Sequence, residues 1–485
     1  MYSCILILKT PLQISCLINF FIEFTQILIQ MKYIFFSIIA SFIVLTAIGT
    51  KVSAITPRWI SSTQTEPWKE LPTSKVDSFG TNVLKLDVYT TYQTMDGFGG
   101  CFNDLGWQAL LSQNEQQQQA VLKLLFDPTE ANFTLCRAPI GANDFSLSAY
   151  FLSESPNDYK MELFSIERDK HELIPYIKAA MKFQPKLGVW GVPWSPPAWM
   201  KTNGHYKGGR MKQDKQTLSA YALYFSKYVQ AYRSEGVNIY AIMPQNEPIY
   251  NDNIYPQCKW SGEELNIFLR DYLFPRLKKD KVKVEVWLGT IVSKSMAEFT
   301  EPVLNDTVTN QGLTGIGYQW GGQDLMLATH EKYPNKKIAQ TETECNDGKN
   351  TWVQGMTTFR KIIEDTKHFS SSYFFWNMIL NESGRSTWNW AQNSLITIDR
   401  KTDKVICNPE YYAMKHFSGA VMPGAKRIAV STGVFKNVVG FLNPSGSKVL
   451  IFQNEATQTV STELLIGSSC IKLDVPANSM NTVVF

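Results

Sequence analysis

Two glutamates in this chain stand where a carboxylate could do chemistry. Glu247 closes the run IYAIMPQNE and Glu342 closes KKIAQTE, each an apolar stretch of β-strand character that ends in an acid. Arg137, Asp144, Trp194, Asn246, Trp320 and Trp376-Asn377 follow or end comparable apolar runs. Two facing carboxylates can act as acid/base and nucleophile at an acetal carbon, and indole faces stack on the C–H surface of a pyranose. A single strand-end Glu is more readily a helix-cap neighbour or a salt-bridge partner, and a single strand-end Trp is ordinary core. The sugar-cleft reading rests on both glutamates and the three tryptophans falling on one face.

Such a face needs elements to hold it. β-rich runs at 133–140, 187–193, 238–244, 283–291, 313–320, 337–341 and 370–377 alternate with amphipathic helical patterns at 113–126, 216–235 and 262–279. Ser112 with Glu115, and Ser261 with Glu264, have capping-box spacing. Strand–helix alternation over this length implies a parallel sheet and fits an α/β fold of the (β/α)8 TIM-barrel type. Reactive groups of such a barrel project from the C-terminal ends of its strands. Glu247 and Glu342 then belong to strands 4 and 7. The tail differs: VLIFQNE, TVSTELLI and CIKLDV alternate between Gly and Ser turns without a helix. It reads as a side antiparallel β-sandwich, joined by the early strand-like segment 83–89.

Composition narrows the class further. The 485 residues are 44% hydrophobic and 19% charged, enough for a large core. The formal charge is only +4 and no basic stripe stands out, so nucleic acid is not an expected partner. The five histidines are scattered and no C-x-x-C pair occurs, which argues against a zinc site. Phosphate-loop and nucleophile-elbow motifs are absent from the sequence.

The first residues carry a targeting signal. Lys32, the apolar run at 33–49 and Val52-Ser53-Ala54 describe a cleavable secretory signal over 31–54, with Met31 at its start. Residues 1–30, interrupted by Lys9 and Glu23, read as an upstream extension. A membrane anchor formed by 11–49 is the competing reading. The organisation expected is a leader at 1–54, strands at 55–92 joining the β domain, the barrel at 93–420 and the sandwich at 421–485. Six cysteines remain beyond the leader (101, 136, 258, 345, 407 and 470), too few for a disulfide scaffold. N-x-[ST] acceptors at Asn132, Asn305 and Asn381 fit a secretory route to the cell exterior or the lysosome.

Several segments together resemble glycoside hydrolase family 30, the family that contains the glucosylceramidases. They are MDGFGGCFNDLG (95–106), CRAPIGANDFS (136–146), PWSPPAWMKTNG (193–204), MPQNEP (243–248), QTETEC (340–345) and FFWNMILNESGRSTWNWAQNS (374–394). The resemblance runs unbroken over about 92–420, and the tail fits the family's side sandwich. It implies Glu247 as general acid/base and Glu342 as nucleophile, with Asn246 on the sugar 2-hydroxyl. Asp144, Trp194 and Trp376 match residues of the −1 pocket. Arg137, Tyr255 and Asn393 match supporting positions, with Arg137 holding a catalytic carboxylate in its charged form. Glu344, two residues past Glu342, is a rival nucleophile on the same strand face.

The mechanism implied is double displacement with net retention, carboxyl groups about 5–5.5 Å apart, and no cofactor or metal. The substrate implied is a β-linked glucoside or a glycolipid of glucosylceramide type, with contact at a membrane surface. Gln319-Trp320-Gly321 replaces a His-Trp-Tyr run of the glucosylceramidases, and the loop IYNDNIYPQC is shorter. These departures are expected at the entrance more than in the −1 pocket, and leave open an endo-β-1,6-glycanase of the same family. A non-catalytic carbohydrate-binding protein is the alternative of a different class.

Overall fold

A computed structural model of the protein describes residues 22–32, 57–77, 80, 83–343, 345–466 and 469–485. The chain divides into one unit of residues 1–56 and another of 57–485. In the first, residues 22–32 are helical and exposed. Most of the leader expected from sequence lies outside the described residues, as does Glu344. No described helix is long and apolar enough to cross a membrane.

In the second unit, eight strands close into a barrel. They are β1 (Gly97–Cys101), β2 (Leu135–Pro139), β3 (Gly188–Val192), β4 (Ile239–Ile242), β5 (Glu285–Ile291), β6 (Gly315–Gln319), β7 (Lys337–Glu342) and β8 (Ser370–Asn377). Every pairing between neighbours is parallel, and β8 closes on β1. The interior is filled by rings from strands that are not neighbours. Trp190 of β3 lies 4.5 Å from Trp287 of β5 and 5.1 Å from Phe374 of β8, centroid to centroid.

Strand β1 is missing from the strand-like runs read in the sequence because GFGGC has the composition of a loop. The structure supplies the reason for its glycines. A Cβ on Gly99 would sit 1.5 Å from the Leu135 carbonyl oxygen, so only glycine lets β1 lie this close to β2.

The caps also differ in part from the sequence reading. Ser261 and Glu264 form the expected capping box at Gly262–Ile267. The helix Glu115–Phe126 is instead capped by Asn114 with Gln117, because Ser112 ends the preceding helix, Asp104–Leu111. The helical run 262–279 widens into a π-helical stretch at Phe268–Leu273 just before Pro275, whose ring nitrogen cannot donate to the preceding turn.

The second layer is a ten-stranded sheet that takes the C-terminal tail together with early strands. Arg58–Ser62 pairs with Ser479–Val484, and Leu84–Thr94 lies between Lys426–Thr432 and Val460–Ile466. Its core holds Trp59, Leu84, Phe452, Leu464, Leu473 and Phe485. His416, on the helix Pro409–Ser418, ties barrel to sandwich through Ser62 at 2.9 Å and Thr482 at 2.8 Å. Burial pushes its imidazole down to about 3, so it stays neutral there. The six described cysteines are free thiols. Of the N-x-[ST] asparagines, Asn132 is buried and accepts a hydrogen bond from Gln184, whereas Asn305 is exposed.

Gly99→Ala tests how tightly β1 and β2 are packed. We expect a loss of about 3 kcal/mol or more, read as a lowered Tm or as loss of soluble protein. An unchanged melting curve would refute the account of β1.

Candidate active site

The C-terminal ends of the strands bring the acidic and aromatic residues together. Glu342 is the last residue of β7, and Gln319 is the last of β6. Trp194 lies just past β3, Asn246 and Glu247 follow β4, and Asp144 follows β2. Arg137, within β2, and Trp376, within β8, complete the floor. The cavity above them has a volume of about 370 Å³. Its lining includes Asp144, Trp194, Glu247, Tyr255, Trp320 and Glu342.

Glu342 and Glu247 are held in different ways. Arg137 donates from Nη1 to Glu342 Oε2 at 2.6 Å, an ion pair between side chains exposed by 1% and 7%. Its Nη2 donates to Asn246 Oδ1. The guanidinium also lies 4.6 Å from the Trp194 ring, and Trp194 stacks on Trp376 at 5.1 Å. The Trp320 indole donates to Glu342 Oε1 at 3.2 Å. Glu247 instead accepts from two neutral donors, Gln319 Nε2 at 2.9 Å and Tyr255 OH at 2.8 Å.

These partners separate the two carboxyls electrically. Burial pushes Glu247 up to about 7, helped by the negative charge on Glu342 and opposed by the bonds from Gln319 and Tyr255. Burial raises Glu342 as well, but the Arg137 charge and its hydrogen bond pull it back, so Glu342 is the first of the pair to ionise. Asp144 is held well above the usual carboxylate range, by burial first and then by the charges on Glu342 and Glu247.

Backbone strain is concentrated at the same place. Glu247 has φ +46° and Trp320 φ +49°, left-handed conformations that cost energy for side chains of this size. The Glu247 amide is fixed by the Thr290 carbonyl at 3.1 Å and its hydroxyl at 3.2 Å. Thr290 also donates to Asn246 Oδ1 at 3.0 Å.

Asn393 stands apart from this cluster. It is fully buried, donates to Glu410 at 2.5 Å and to Gln354 at 3.2 Å, and touches neither carboxylate. Sequence reasoning did not assign Gln319, Thr290, Trp390 or Gln392 to the site. The Gln319-Trp320-Gly321 segment, expected at the entrance, instead reaches the carboxyls: Gln319 is buried and bonds Glu247, and Trp320 bonds Glu342, because the segment begins at the end of β6 inside the ring of strand ends. Trp390 and Gln392 line the cavity. The position of Gln319 at a strand end was a usable signal. The family-like segment 374–394 could have pointed to Trp390 and Gln392, whereas nothing local marks Thr290.

The arrangement is that of a glycoside hydrolase, and the sequence places it in a family. Residues 95–421 match the glycosyl hydrolase family 30 TIM-barrel domain, and residues 424–483 match the family 30 beta sandwich domain. The chain belongs to glycosyl hydrolase family 30. It is 30% identical to putative glucosylceramidase 1 of Caenorhabditis elegans, over 83% of this chain and 80% of the relative. It is 27% identical to the lysosomal acid glucosylceramidase of Mus musculus, over 78% of each. An endo-1,6-beta-D-glucanase of Aspergillus fumigatus is 26% identical over 75% of this chain and 78% of its own length. Among solved structures, SrfJ from Salmonella typhimurium superposes with a TM-score of 0.82 at 27% identity, covering 88% of this chain and 99% of that one.

Arg137→Met tests the electrostatic division. Without the guanidinium, Glu342 loses the charge that opposes its burial, so the acid limb of the pH–rate profile for glycoside hydrolysis should move to higher pH. Folding stability should fall by about 3–5 kcal/mol in urea unfolding, the usual cost of orphaning one member of a buried pair. An acid limb that stays in place would overturn the assignment.

Proposed function

We propose that the protein is a retaining β-glucosidase that cleaves glucosylceramide-type glycolipids by double displacement. The observation that carries the proposal is the pair of buried carboxyls, one ion-paired and one kept protonated up to neutral pH, on one cavity beside stacked indoles. Glu342 attacks the anomeric carbon as the C–O bond to the aglycone breaks, and Glu247 passes its proton to the departing oxygen. Glu342 Oε2 stays with Arg137, so Oε1, on the side of Trp320 and the cavity, forms the ester bond. Glu247, now a carboxylate, takes a proton from water whose oxygen displaces Glu342. Both groups return to their starting states with the β configuration retained. Asn246 bonds the 2-hydroxyl, and Asp144, Trp194 and Trp376 hold the −1 glucose. Tyr255 supports Glu247.

The rim supports a lipid aglycone. On the acid/base side, where the leaving group departs, Tyr250 and Ile254 line the cavity mouth while 38% and 49% exposed. Exposed apolar side chains at a mouth suit an apolar leaving group presented from a membrane surface. The secretory route to the cell exterior or the lysosome agrees with this substrate. The second reading, an endo-β-1,6-glycanase, draws on the altered Gln319-Trp320-Gly321 segment and the glucanase relative.

Residues 55–485 should hydrolyse an aryl β-glucoside, giving β-glucose as the first product in the proton NMR spectrum. Glu342→Gln should abolish turnover. Because Glu247 must be protonated to act and is raised to about 7, activity should fall as pH rises through about 7. First-formed α-glucose would refute retention, and full turnover in Glu342→Gln would refute the nucleophile. Ile254→Asp should reduce turnover of glucosylceramide in vesicles while sparing the aryl glucoside. Mid-chain cleavage of a β-1,6-glucan with no action on glucosylceramide would instead select the second reading.

A further inference from the structure

Lys201 is a buried lysine, and among the described residues its hydrogen-bond partners include no carboxylate. Its ammonium spends its three donors on neutral oxygens: Ser195 Oγ at 3.0 Å, the Tyr206 carbonyl at 2.9 Å, and the Gln257 carbonyl. A buried cation without a counter-charge is costly, and burial pushes Lys201 down to about 8. The titratable group facing it is the Cys258 thiol, with the Arg210–Glu264 ion pair also acting on that thiol.

What the ammonium joins gives this cost a purpose. Ser195 follows Trp194 and is itself followed by Pro196 and Pro197. Gln257 follows Tyr255 and Pro256. Proline fixes φ, so each anchor lies on a short, stiff segment ending in a cavity residue. Trp194 is the wall that covers Arg137. Tyr255 donates to Glu247 Oε2 at 2.8 Å. The Gln257 amide also bonds the Tyr206 carbonyl at 3.1 Å, and Lys207 bridges Pro256, so the 206–207 loop backs the same segment.

We propose that Lys201 is a positioning residue, a cation that clamps the Trp194 and Tyr255 segments at the spacing Glu247 needs for proton transfer. The inference rests on the double-displacement reading above. It adds a group outside the cavity that sets the acid/base through Tyr255. Since the Tyr255 bond lowers the pKa of Glu247, loosening the clamp raises that pKa.

The test is Lys201→Met, which keeps the length of the chain and removes the donors. With an aryl β-glucoside, kcat/KM should fall about 10- to 100-fold, the scale of a small misplacement in an active site. The basic limb should move to higher pH, in the direction of Tyr255→Phe and no further. In the double variant Lys201→Met with Tyr255→Phe, the limb should match Tyr255→Phe alone. A basic limb left at the wild-type position, or shifts that simply add, would overturn the proposal whatever the loss in Tm. If Lys201→Met does not fold, Lys201→Gln and Ser195→Ala should show the same upward shift to a smaller extent, and its absence in both would be equally decisive. The shift can also be read without turnover, by titrating protein labelled with carboxyl-13C glutamate and assigning Glu247 with Glu247→Gln. Failure of the wild type to hydrolyse any glucoside would sink the proposed function. An unshifted Glu247 titration in the Lys201 variants would sink only the clamp.

Discussion

Arg137 is a guanidinium with almost no water, placed between a carboxylate, an amide and two indoles. Its charge is met by Glu342 at 2.6 Å and by the face of Trp194 at 4.6 Å. A buried arginine of this kind favours the ionised form of the carboxylate beside it in the resting site. The second carboxyl, sharing the same dry space, is then pressed toward the protonated form. One cation thus creates the asymmetry that two chemically identical side chains cannot create for themselves. Removing it would leave two buried acids with little to tell them apart. The barrel supplies the geometry: Arg137 on β2 reaches across to β7 and to the segment after β4, which requires a closed, densely filled barrel. The exclusion of a Cβ at Gly99 belongs to this requirement, because β1 meets β2 at the Cys101–Arg137 pair.

The strained backbone at Glu247 and Trp320 extends the same logic. Left-handed φ values at a Glu and a Trp persist only where surrounding bonds over-determine them. Thr290 does this for Glu247 by bonding its amide twice and Asn246 once. Gln319, next to Trp320, is bound to Glu247. The two carboxyls share no donor, but their supports adjoin: Gln319 on Glu247 precedes Trp320 on Glu342, and Arg137 holds both Glu342 and Asn246, the neighbour of Glu247.

The sequence made the large periodic features legible and hid those that depend on close approach. Strand ends carrying Glu247 and Glu342 stand out because an acid interrupts an apolar run, and Ser261 with Glu264 is readable because both halves of that cap are local. The glycines of β1 look like a loop until the Leu135 carbonyl is seen against Gly99. Asn114 rather than Ser112 begins its helix, since only the end of the preceding helix decides which residue begins the next. Thr290 carries no local signal, because its value lies in what the fold brings to it. Asn393 shows the converse: a motif position can be matched while its side chain is committed to Glu410 and Gln354.

Floor and rim obey different constraints. At the floor each carboxylate oxygen of Glu247 and Glu342 has a protein donor, so substitution there disturbs the electrostatics on which bond cleavage depends. At the rim, Tyr250 and Ile254 are exposed, and the loop bearing them is fixed by a few bonds such as the Asp252 amide to Gln257 at 3.0 Å. Side chains there can change without altering the proton balance below. Gln257 is where the two regimes meet: its side chain steadies the rim loop, while its backbone carbonyl receives the Lys201 ammonium two residues from Tyr255. A change of rim that displaced Gln257 would reach the acid/base, so the freedom of the entrance ends at that residue.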